Sequence, residues 1–246
     1  MKHRISIIVA LLLTALLWIL PVDGEIRRVA LGAVGAIWIA LTIYGSGVIG
    51  ANWFVRSQNR LNTGAIALTF DDGPDPVVTP LVLSVLKEKN VPATFFLIGE
   101  KAEKYPDLVR QILAEGHQVG NHSYSHSAWL GFFSTNRLKD DLEKCNRVLQ
   151  DISGKSVTLF RPPFGVTNPR YSRALALLSM ASVGWSLRSY DTVTRNSAKL
   201  LERLVSRIRG GQIVLMHDTL CQTAEALPAF LDYCRESGIE VGRVDM

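Results

Sequence analysis

Two adjacent carboxylates, Asp71 and Asp72, follow the apolar run AIALTF and precede Gly73-Pro74. Adjacent residues of a strand point to opposite faces, but where a strand passes into a turn both side chains can reach one cavity. Two close carboxylates repel each other unless a cation or a proton separates their roles. One aspartate that binds a metal beside one that acts as a catalytic base would meet that condition. The alternative interpretation is an ordinary Asp-Gly turn, which has the same sequence and no catalytic role.

Two histidines, His122 and His126, are four positions apart in the segment HSYSH. This spacing predicts two imidazoles on one side of a helical turn, where they can chelate a metal. Neutral imidazole suits zinc and similar divalent ions, and a set of two histidines with Asp72 leaves a coordination position open for water. His117 has no partner at a chelating spacing, so we predict a structural role for it.

Three later segments carry polar residues that could complete a reaction centre. Arg161 begins RPPFG, and its guanidinium can bind a carboxylate through two hydrogen bonds. The prolines restrict the following backbone, so the Phe164 N–H could serve as an oxyanion donor. His217 ends the apolar run QIVLM, a position that suits a general acid, and Asp191 could orient it. Each residue also has a purely structural alternative: a surface arginine in a rigid turn for Arg161, a capped core histidine for His217 and a turn carboxylate for Asp191.

Short apolar runs alternate with segments of helical period from Ala65 to the C-terminus. About seven such strand candidates predict a parallel sheet, either open or closed into a barrel. In these folds the active site lies at the carboxyl ends of the strands. Asp71, His122, Arg161 and His217 all follow strand candidates, so we expect them to converge at one end of the sheet. Trp185 lies on a predicted strand and is expected in the core.

The first fifty residues are far more apolar than the rest. Two segments without charged side chains, residues 5–22 and about 29–50, are separated by a polar loop at 23–28. Each segment is long enough to cross a bilayer, which takes roughly 20 apolar residues. A signal peptide is the competing interpretation, but its apolar core is typically about 7–15 residues and ends at a small-residue cleavage site. We therefore predict a two-helix transmembrane hairpin over 1–54, a polar linker over 55–64 and a catalytic domain over 65–246.

Composition narrows the classes of partner. The formal net charge is +5, but no Lys/Arg block interleaved with aromatic residues occurs, so nucleic-acid binding is not expected. A mildly basic surface also suits an anionic membrane or a phosphate-bearing substrate. The three cysteines form no CxxC pair, which argues against a disulfide framework or a zinc–thiolate site.

Together, these segments resemble the polysaccharide deacetylase family, also called the nodulation-deacetylase homology domain or carbohydrate esterase family four. The resemblance covers 65–246 and rests on five segments in the family's order: TFDDGP (69–74), NHSYSH (121–126), RPPFG (161–165), WSLRSYD (185–191) and LMHD (215–218). It implies a distorted (β/α) barrel with fewer than eight strands. In the fourth segment, Arg188 and Thr192 replace an aspartate and a tryptophan that the family often has.

The resemblance also implies a role for each candidate residue. Asp71 would be the general base, oriented by Arg161, and the Phe164 backbone would help to hold the oxyanion. His217 would be the general acid, tuned by Asp191. The divalent metal, often zinc with Co²⁺, Ni²⁺ or Mn²⁺ as alternatives, would be bound by three residues: Asp72, His122 and His126.

The expected function is hydrolysis of N-acetyl or related N-acyl groups on amino sugars. The protein is expected to be a multi-pass protein of the cell membrane, and the sequence does not assign its catalytic domain to either side of that membrane. The substrate is either a glycan polymer or a sugar carried on a polyprenyl phosphate, and the latter reading includes deformylation. A non-catalytic glycan-binding domain is the third alternative. O-deacetylation also occurs in the family.

Overall fold

The computed structural model describes residues 2–244, which begin with a helical hairpin. Its helices are α1 (Lys2–Ile19) and α2 (Gly24–Gly47). Helix α1 ends before Pro21, because the residue preceding a proline disfavours helical backbone. Asp23 caps α2, with its carboxylate accepting the Glu25 N–H at 2.7 Å. Arg27, expected in the loop, therefore lies in the first turn of α2, where it donates to carbonyls at the end of α1.

Seven α-helices and nine strands follow in the described residues. They are β1 (Ser57–Gln58), β2 (Ile66–Gly73), α3 (Val78–Lys89), β3 (Thr94–Leu97), α4 (Gly99–Lys104), α5 (Pro106–Ala114), β4 (Gln118–Asn121), α6 (Thr135–Ser153), β5 (Leu159–Phe160), α7 (Pro169–Leu177), β6 (Ala181–Val183), β7 (Leu187–Arg188), α8 (Ser197–Arg207), β8 (Ile213–His217), α9 (Cys221–Glu236) and β9 (Val241–Gly242).

The strands form one parallel sheet in the order β1-β6-β5-β4-β3-β2-β8-β7, with β9 also paired to β2. No ladder joins β7 to β1 among residues 2–244, so the sheet curls into a partial barrel that is open on one side. This confirms the predicted distorted (β/α) barrel behind a helical hairpin. The strand count exceeds seven because β1 and β7 are two-residue strands that lie in no longer apolar or alternating run, whereas the equally short β5 and β9 do.

Alternation along β2 sorts its side chains into two layers. Ile66, Leu68 and Phe70 pack into the main core beneath helices α3, α8 and α9. Ala67 packs inside the barrel with Phe96 and residues of β5, β6 and β8. The period of two therefore directs the odd-numbered residues of β2, Asp71 among them, into the barrel.

The segment 55–64 contains strand β1, which pairs with β6 and so is part of the sheet. Phe54 and Val55 are buried in a cluster with Phe160 and Tyr171. The segment expected as a polar linker therefore contributes a strand to the sheet, and its first residue, Val55, packs with Phe160 of β5 and Tyr171 of α7. In consequence, the hairpin is fixed directly to the catalytic domain.

Candidate active site

Asp71 and Asp72 reach the same cavity because the backbone of β2 is irregular at its end. Asp72 has a left-handed backbone with φ of 71°, and the pairing of β2 with β3 shifts register between Asp71 and Gly73. Such a bulge re-aims a side chain that regular alternation would turn away. Aspartate is among the few residues that enter this backbone region readily.

His122 and His126 approach the Asp72 carboxylate. Oδ1 of Asp72 lies 3.4 Å from Nε2 of His122 and 3.1 Å from Nε2 of His126. Ligands about 2.1 Å from a tetrahedral zinc ion lie ~3.4 Å from one another. One potential ligand atom from each of the three residues lies within 4.8 Å of the other two. The structure therefore brings together the three residues that the sequence predicted as a metal triad.

The predicted helical turn at the histidine pair is wrong. Ser123 and His126 have positive φ values of 67° and 45°, which a right-handed helical turn does not accommodate. The loop is instead held by side-chain acceptors: Asn121 accepts the Ser123 N–H at 2.7 Å, and Asp141 accepts the Tyr124 N–H at 2.8 Å. The two imidazoles meet through this loop geometry rather than through helical periodicity.

The protonation of His122 favours a cation at the triad. Its Nδ1 lies 2.8 Å from the Arg161 carbonyl oxygen, and because a carbonyl only accepts, Nδ1 must donate. In the neutral ring, Nε2 then directs a lone pair at Asp72. Within the described residues, buried Oδ1 of Asp72 has no hydrogen-bond partner. Burial raises the pKa of Asp72, but hydrogen bonds and charge from proton-bearing forms of His122 and His126 lower it more, well below its usual range. With neutral His122 facing Asp72, a cation would supply that positive charge instead. A divalent cation fits this donor set.

Arg161 is fully buried inside the barrel and holds Asp71. Its Nη1 donates to Oδ1 of Asp71 at 2.8 Å and to the Thr69 hydroxyl at 2.7 Å. Its remaining nitrogens donate to the carbonyls of Val183 and Gly184, and its guanidinium lies 4.2 Å from the ring centroid of Phe96. A buried charge needs such complete pairing. Burial lowers the pKa of Arg161, and Asp71 opposes that shift.

His217 and Asp191 form a second buried pair. Nδ1 of His217 donates to Oδ1 of Asp191 at 2.8 Å, and the His217 backbone N–H donates to Oδ2 at 2.7 Å. Thr223 also donates to Oδ2, at 2.9 Å. Burial lowers the pKa of His217, but the hydrogen bond and charge of Asp191 raise it to about 9. The imidazolium form needed of an acid is therefore stabilised, with Nε2 3.9 Å from Oδ2 of Asp72.

These groups surround one cavity of about 260 Å³. Pockets that enclose a whole small-molecule ligand usually have volumes of ~300 Å³ or more, so this cavity has room for one end of a ligand. Arg161 and Asp191 lie behind the wall. The cavity lining comprises Asp71, Asp72, His122, His126, Phe164, Gly165, Trp185, Arg188, Thr192, Leu215 and His217.

Phe164, Gly165 and Trp185 shape the cavity mouth. Phe164 has a left-handed backbone with φ of 60° and is 59% exposed as a residue, and its ring centroid lies 4.8 Å from that of His126. A Cβ built on Gly165 would come within 2.5 Å of the Trp185 ring, so only glycine lets the ring close this wall. Trp185, expected in a strand and in the core, instead follows β6 and is half-buried, because β6 ends at Val183.

Two residues that support the site, Lys101 and Asp218, were not predicted as site residues from the sequence. Lys101 donates to the Asp72 carbonyl at 2.8 Å and holds the left-handed turn. It follows β3, so the strand-end rule applied to that strand would have found it. Asp218 is fully buried, accepts from the Thr79 hydroxyl at 2.6 Å and occupies the space beside Gly73. Burial raises the pKa of Asp218 to about 7.

The sequence of this chain was compared with models of known protein families. Residues 58–183 match the sequence model of the family described as polysaccharide deacetylase. The chain belongs to the polysaccharide deacetylase family. The resemblance predicted from five short segments is thereby confirmed, and the match covers strands β2 to β6, which carry the metal triad and Arg161.

Relatives with curated names are deacetylases of amino-sugar polymers or oligomers. The chain is 38% identical over 180 residues to the peptidoglycan-N-acetylglucosamine deacetylase PgdA of Listeria monocytogenes, covering 73% of this chain and 38% of that one. It is 35% identical over 167 residues to a chitooligosaccharide deacetylase of Sinorhizobium fredii, covering 67% and 78%. The matched region is thus well under half of the longer Listeria protein.

A solved structure supports the fold directly. The peptidoglycan deacetylase PdaC from Bacillus subtilis superposes with a TM-score of 0.69 at 32% sequence identity, covering 74% of this chain and 89% of that one. The α/β partial barrel is therefore the shared scaffold of the two proteins.

Proposed function

We propose that this chain is a membrane-anchored hydrolase that uses one divalent metal ion to remove N-acetyl or related acyl groups from amino sugars. The observation that carries the proposal is the single cavity on which Asp71, the triad and the His217–Asp191 pair converge. The named activities of the relatives support the reaction class. The same intact set of groups argues against a non-catalytic binding domain.

The chain's own residues supply the proton transfers of amide hydrolysis. Asp71, held by Arg161, accepts a proton from water as its oxygen attacks the acyl carbon. His217 donates its Nε2 proton to the sugar nitrogen as the C–N bond breaks, so that the products are a carboxylic acid and a free amine. The Phe164 N–H would stabilise the oxyanion. A metal bound by Asp72, His122 and His126 would supply Lewis-acid polarisation of the acyl carbonyl.

Zinc is the metal that we propose first. Two imidazoles and one carboxylate with an open position are a donor set typical of catalytic zinc. Cobalt, nickel and manganese accept the same ligands, and the choice among them in the cell depends on availability as well as affinity.

Membrane anchoring is supported by the hairpin. Helix α1 buries none of its residues and α2 buries only Gly45, so most large apolar side chains of both helices are exposed. Exposed apolar area of this kind is rare in water-soluble monomers and marks a membrane or partner surface. A signal sequence is also a long apolar helix near an N-terminus, but the attachment of these two helices to the catalytic domain supports permanent anchoring.

That attachment consists of reciprocal contacts at the open end of the hairpin. The Ser46 hydroxyl donates to the Thr167 carbonyl at 2.8 Å, and the Thr167 N–H donates to the Ser46 carbonyl at 3.0 Å. Gly45 lies against the Trp53 ring with no room for a Cβ. Such fixed docking favours a second candidate substrate, an acylated amino sugar carried on a membrane lipid.

Acetate release tests the proposed reaction. The full-length protein in detergent is expected to release acetate from N-acetylglucosamine oligomers, to lose this activity with a chelator and to regain it with Zn²⁺. Full activity in the presence of chelator, with metal absent by elemental analysis, would contradict metal dependence. Absence of release from both soluble oligomers and lipid-linked N-acetyl sugars, with zinc bound, would contradict the deacetylase assignment.

A further inference from the structure

A second cleft adjoins the catalytic cavity on the open side of the barrel. It has a volume of about 780 Å³ and runs from the end of α2 to helix α8. We call it the arginine cleft, because its lining includes four arginines and no acidic residue among those the structure describes: Arg188, Arg203, Arg207 and Arg209.

The positive charge of the arginine cleft is uncompensated. Within residues 2–244, none of its four guanidinium groups lies in an ion pair with a carboxylate. Clustered like charges repel one another, and a cleft lined by one sign of charge attracts ligands of the other. The charge pattern therefore indicates an anionic ligand.

Two of the arginines are held in place by Tyr190. The guanidinium carbon of Arg203 lies 4.3 Å from the centroid of the Tyr190 ring, and that of Arg188 lies 5.1 Å from it. Nε of Arg203 also donates to the Arg188 carbonyl at 3.2 Å. Arginines fixed in this way are suited to phosphate, which they bind through paired hydrogen bonds.

The arginine cleft joins the catalytic cavity to the end of the hairpin. Trp185 and Arg188 line both the cleft and the catalytic cavity. At the opposite side, the cleft is lined by residues 47–50, where the chain leaves α2. If α2 spans the bilayer, this end lies near the level of lipid phosphates.

We propose that the arginine cleft is a phosphate-binding subsite that holds the phosphate of a lipid-linked amino sugar while the acyl group occupies the catalytic cavity. This inference rests on the proposed function and assigns a substrate class to the same site. The shared chemistry is a phosphate at the bilayer surface, which a phospholipid headgroup could also supply. Arg188, which stands where the family often has an aspartate, gives the junction of the two cavities a positive charge.

The test compares two substrates in nanodiscs of neutral phosphatidylcholine. One is a short-chain prenyl phosphate carrying N-acetylglucosamine, and the other is an octyl glycoside of N-acetylglucosamine without phosphate. The double variant Arg203→Ala/Arg207→Ala is expected to lower the ratio of kcat/KM between these substrates by roughly 10-fold or more, mainly through KM, because charge-assisted contacts to phosphate are lost. The control Arg147→Ala/Arg173→Ala removes two exposed arginines from α6 and α7 and should leave the ratio unchanged.

The proposed phosphate subsite would be overturned if the ratio of kcat/KM for the two substrates were unchanged in the cleft variant, or if it fell equally in the control variant. A third arm adds phosphatidylglycerol to the nanodiscs as a competitor: if this anionic lipid inhibits the wild type but not the cleft variant, and the variant keeps the ratio in its absence, the ligand is a headgroup and the substrate role is overturned. Hydrolysis of the octyl glycoside with an unaffected ratio defeats this inference alone. If the zinc-loaded wild type hydrolyses neither substrate and no soluble oligomer, the proposed function fails with it.

Discussion

The variant Asp71→Asn is expected to reduce kcat for deacetylation by ~10³-fold, within the range that a positioned general base contributes. The asparagine amide oxygen can still accept from Nη1 of Arg161, which now contacts Oδ1 of Asp71 at 2.8 Å. The fold should therefore persist, with a loss of roughly 1–3 kcal/mol in unfolding free energy from the weakened buried charge pair. Because Asp71 is not a member of the triad, the bound metal content should be unchanged.

A nearby aspartate offers a matched control for Asp71→Asn. Asp75 caps α3, with its carboxylate accepting the N–H groups of Val77 and Val78. Asparagine caps helices about as well, so Asp75→Asn changes the same charge close to the site with little expected effect on turnover. Near-wild-type kcat in a folded, metal-loaded Asp71→Asn protein would show that Asp71 is not the base.

The variant His126→Ala is expected to weaken metal binding by more than ~100-fold, since loss of even an outer-shell partner commonly costs 10–100-fold. His126 supplies the closest contact to Asp72 in the triad, at 3.1 Å. Activity should fall in parallel and recover partly at high Zn²⁺, because Asp72 and His122 remain in place. Metal content by elemental analysis and acetate release across a zinc titration measure both effects.

His117 is the control for the loss of a histidine. It is buried, and its Nδ1 accepts the Ala93 N–H at 3.2 Å. His117→Gln keeps a hydrogen-bond acceptor there and should alter thermal stability more than metal affinity. Equal metal content in wild type and His126→Ala would show that His126 is not a metal ligand. Selective metal loss in His117→Gln would show that the metal site includes His117 and not the triad alone.

Much of the fold was predictable because β2, β3 and β8 are continuous apolar runs separated by amphipathic helices. Each run is buried on both faces, which is the signature of a parallel sheet. Strands β1 and β7 were not predicted because each is two residues long and lies in no longer apolar or alternating run. Their pairing depends on tertiary contacts with β6 and β8.

The residues of the candidate site were predictable from type, spacing and family resemblance, but their geometry was not. The histidine pair was expected on a helical turn, yet it meets through a loop fixed by Asn121 and by Asp141, which is distant in sequence. Likewise, the left-handed backbone of Asp72 depends on contacts such as the Lys101 hydrogen bond. Interactions between segments far apart in the chain leave no local pattern to read.

We propose that hydrolysis requires one divalent ion at the triad, and the stoichiometry of zinc activation tests this requirement. Metal-free full-length protein would be titrated with Zn²⁺ while acetate release from N-acetylglucosamine oligomers is measured. We expect no release without metal and a linear rise that ends at about one Zn²⁺ per chain, as for a single site with three protein ligands. Undiminished acetate release by the metal-free protein would contradict it.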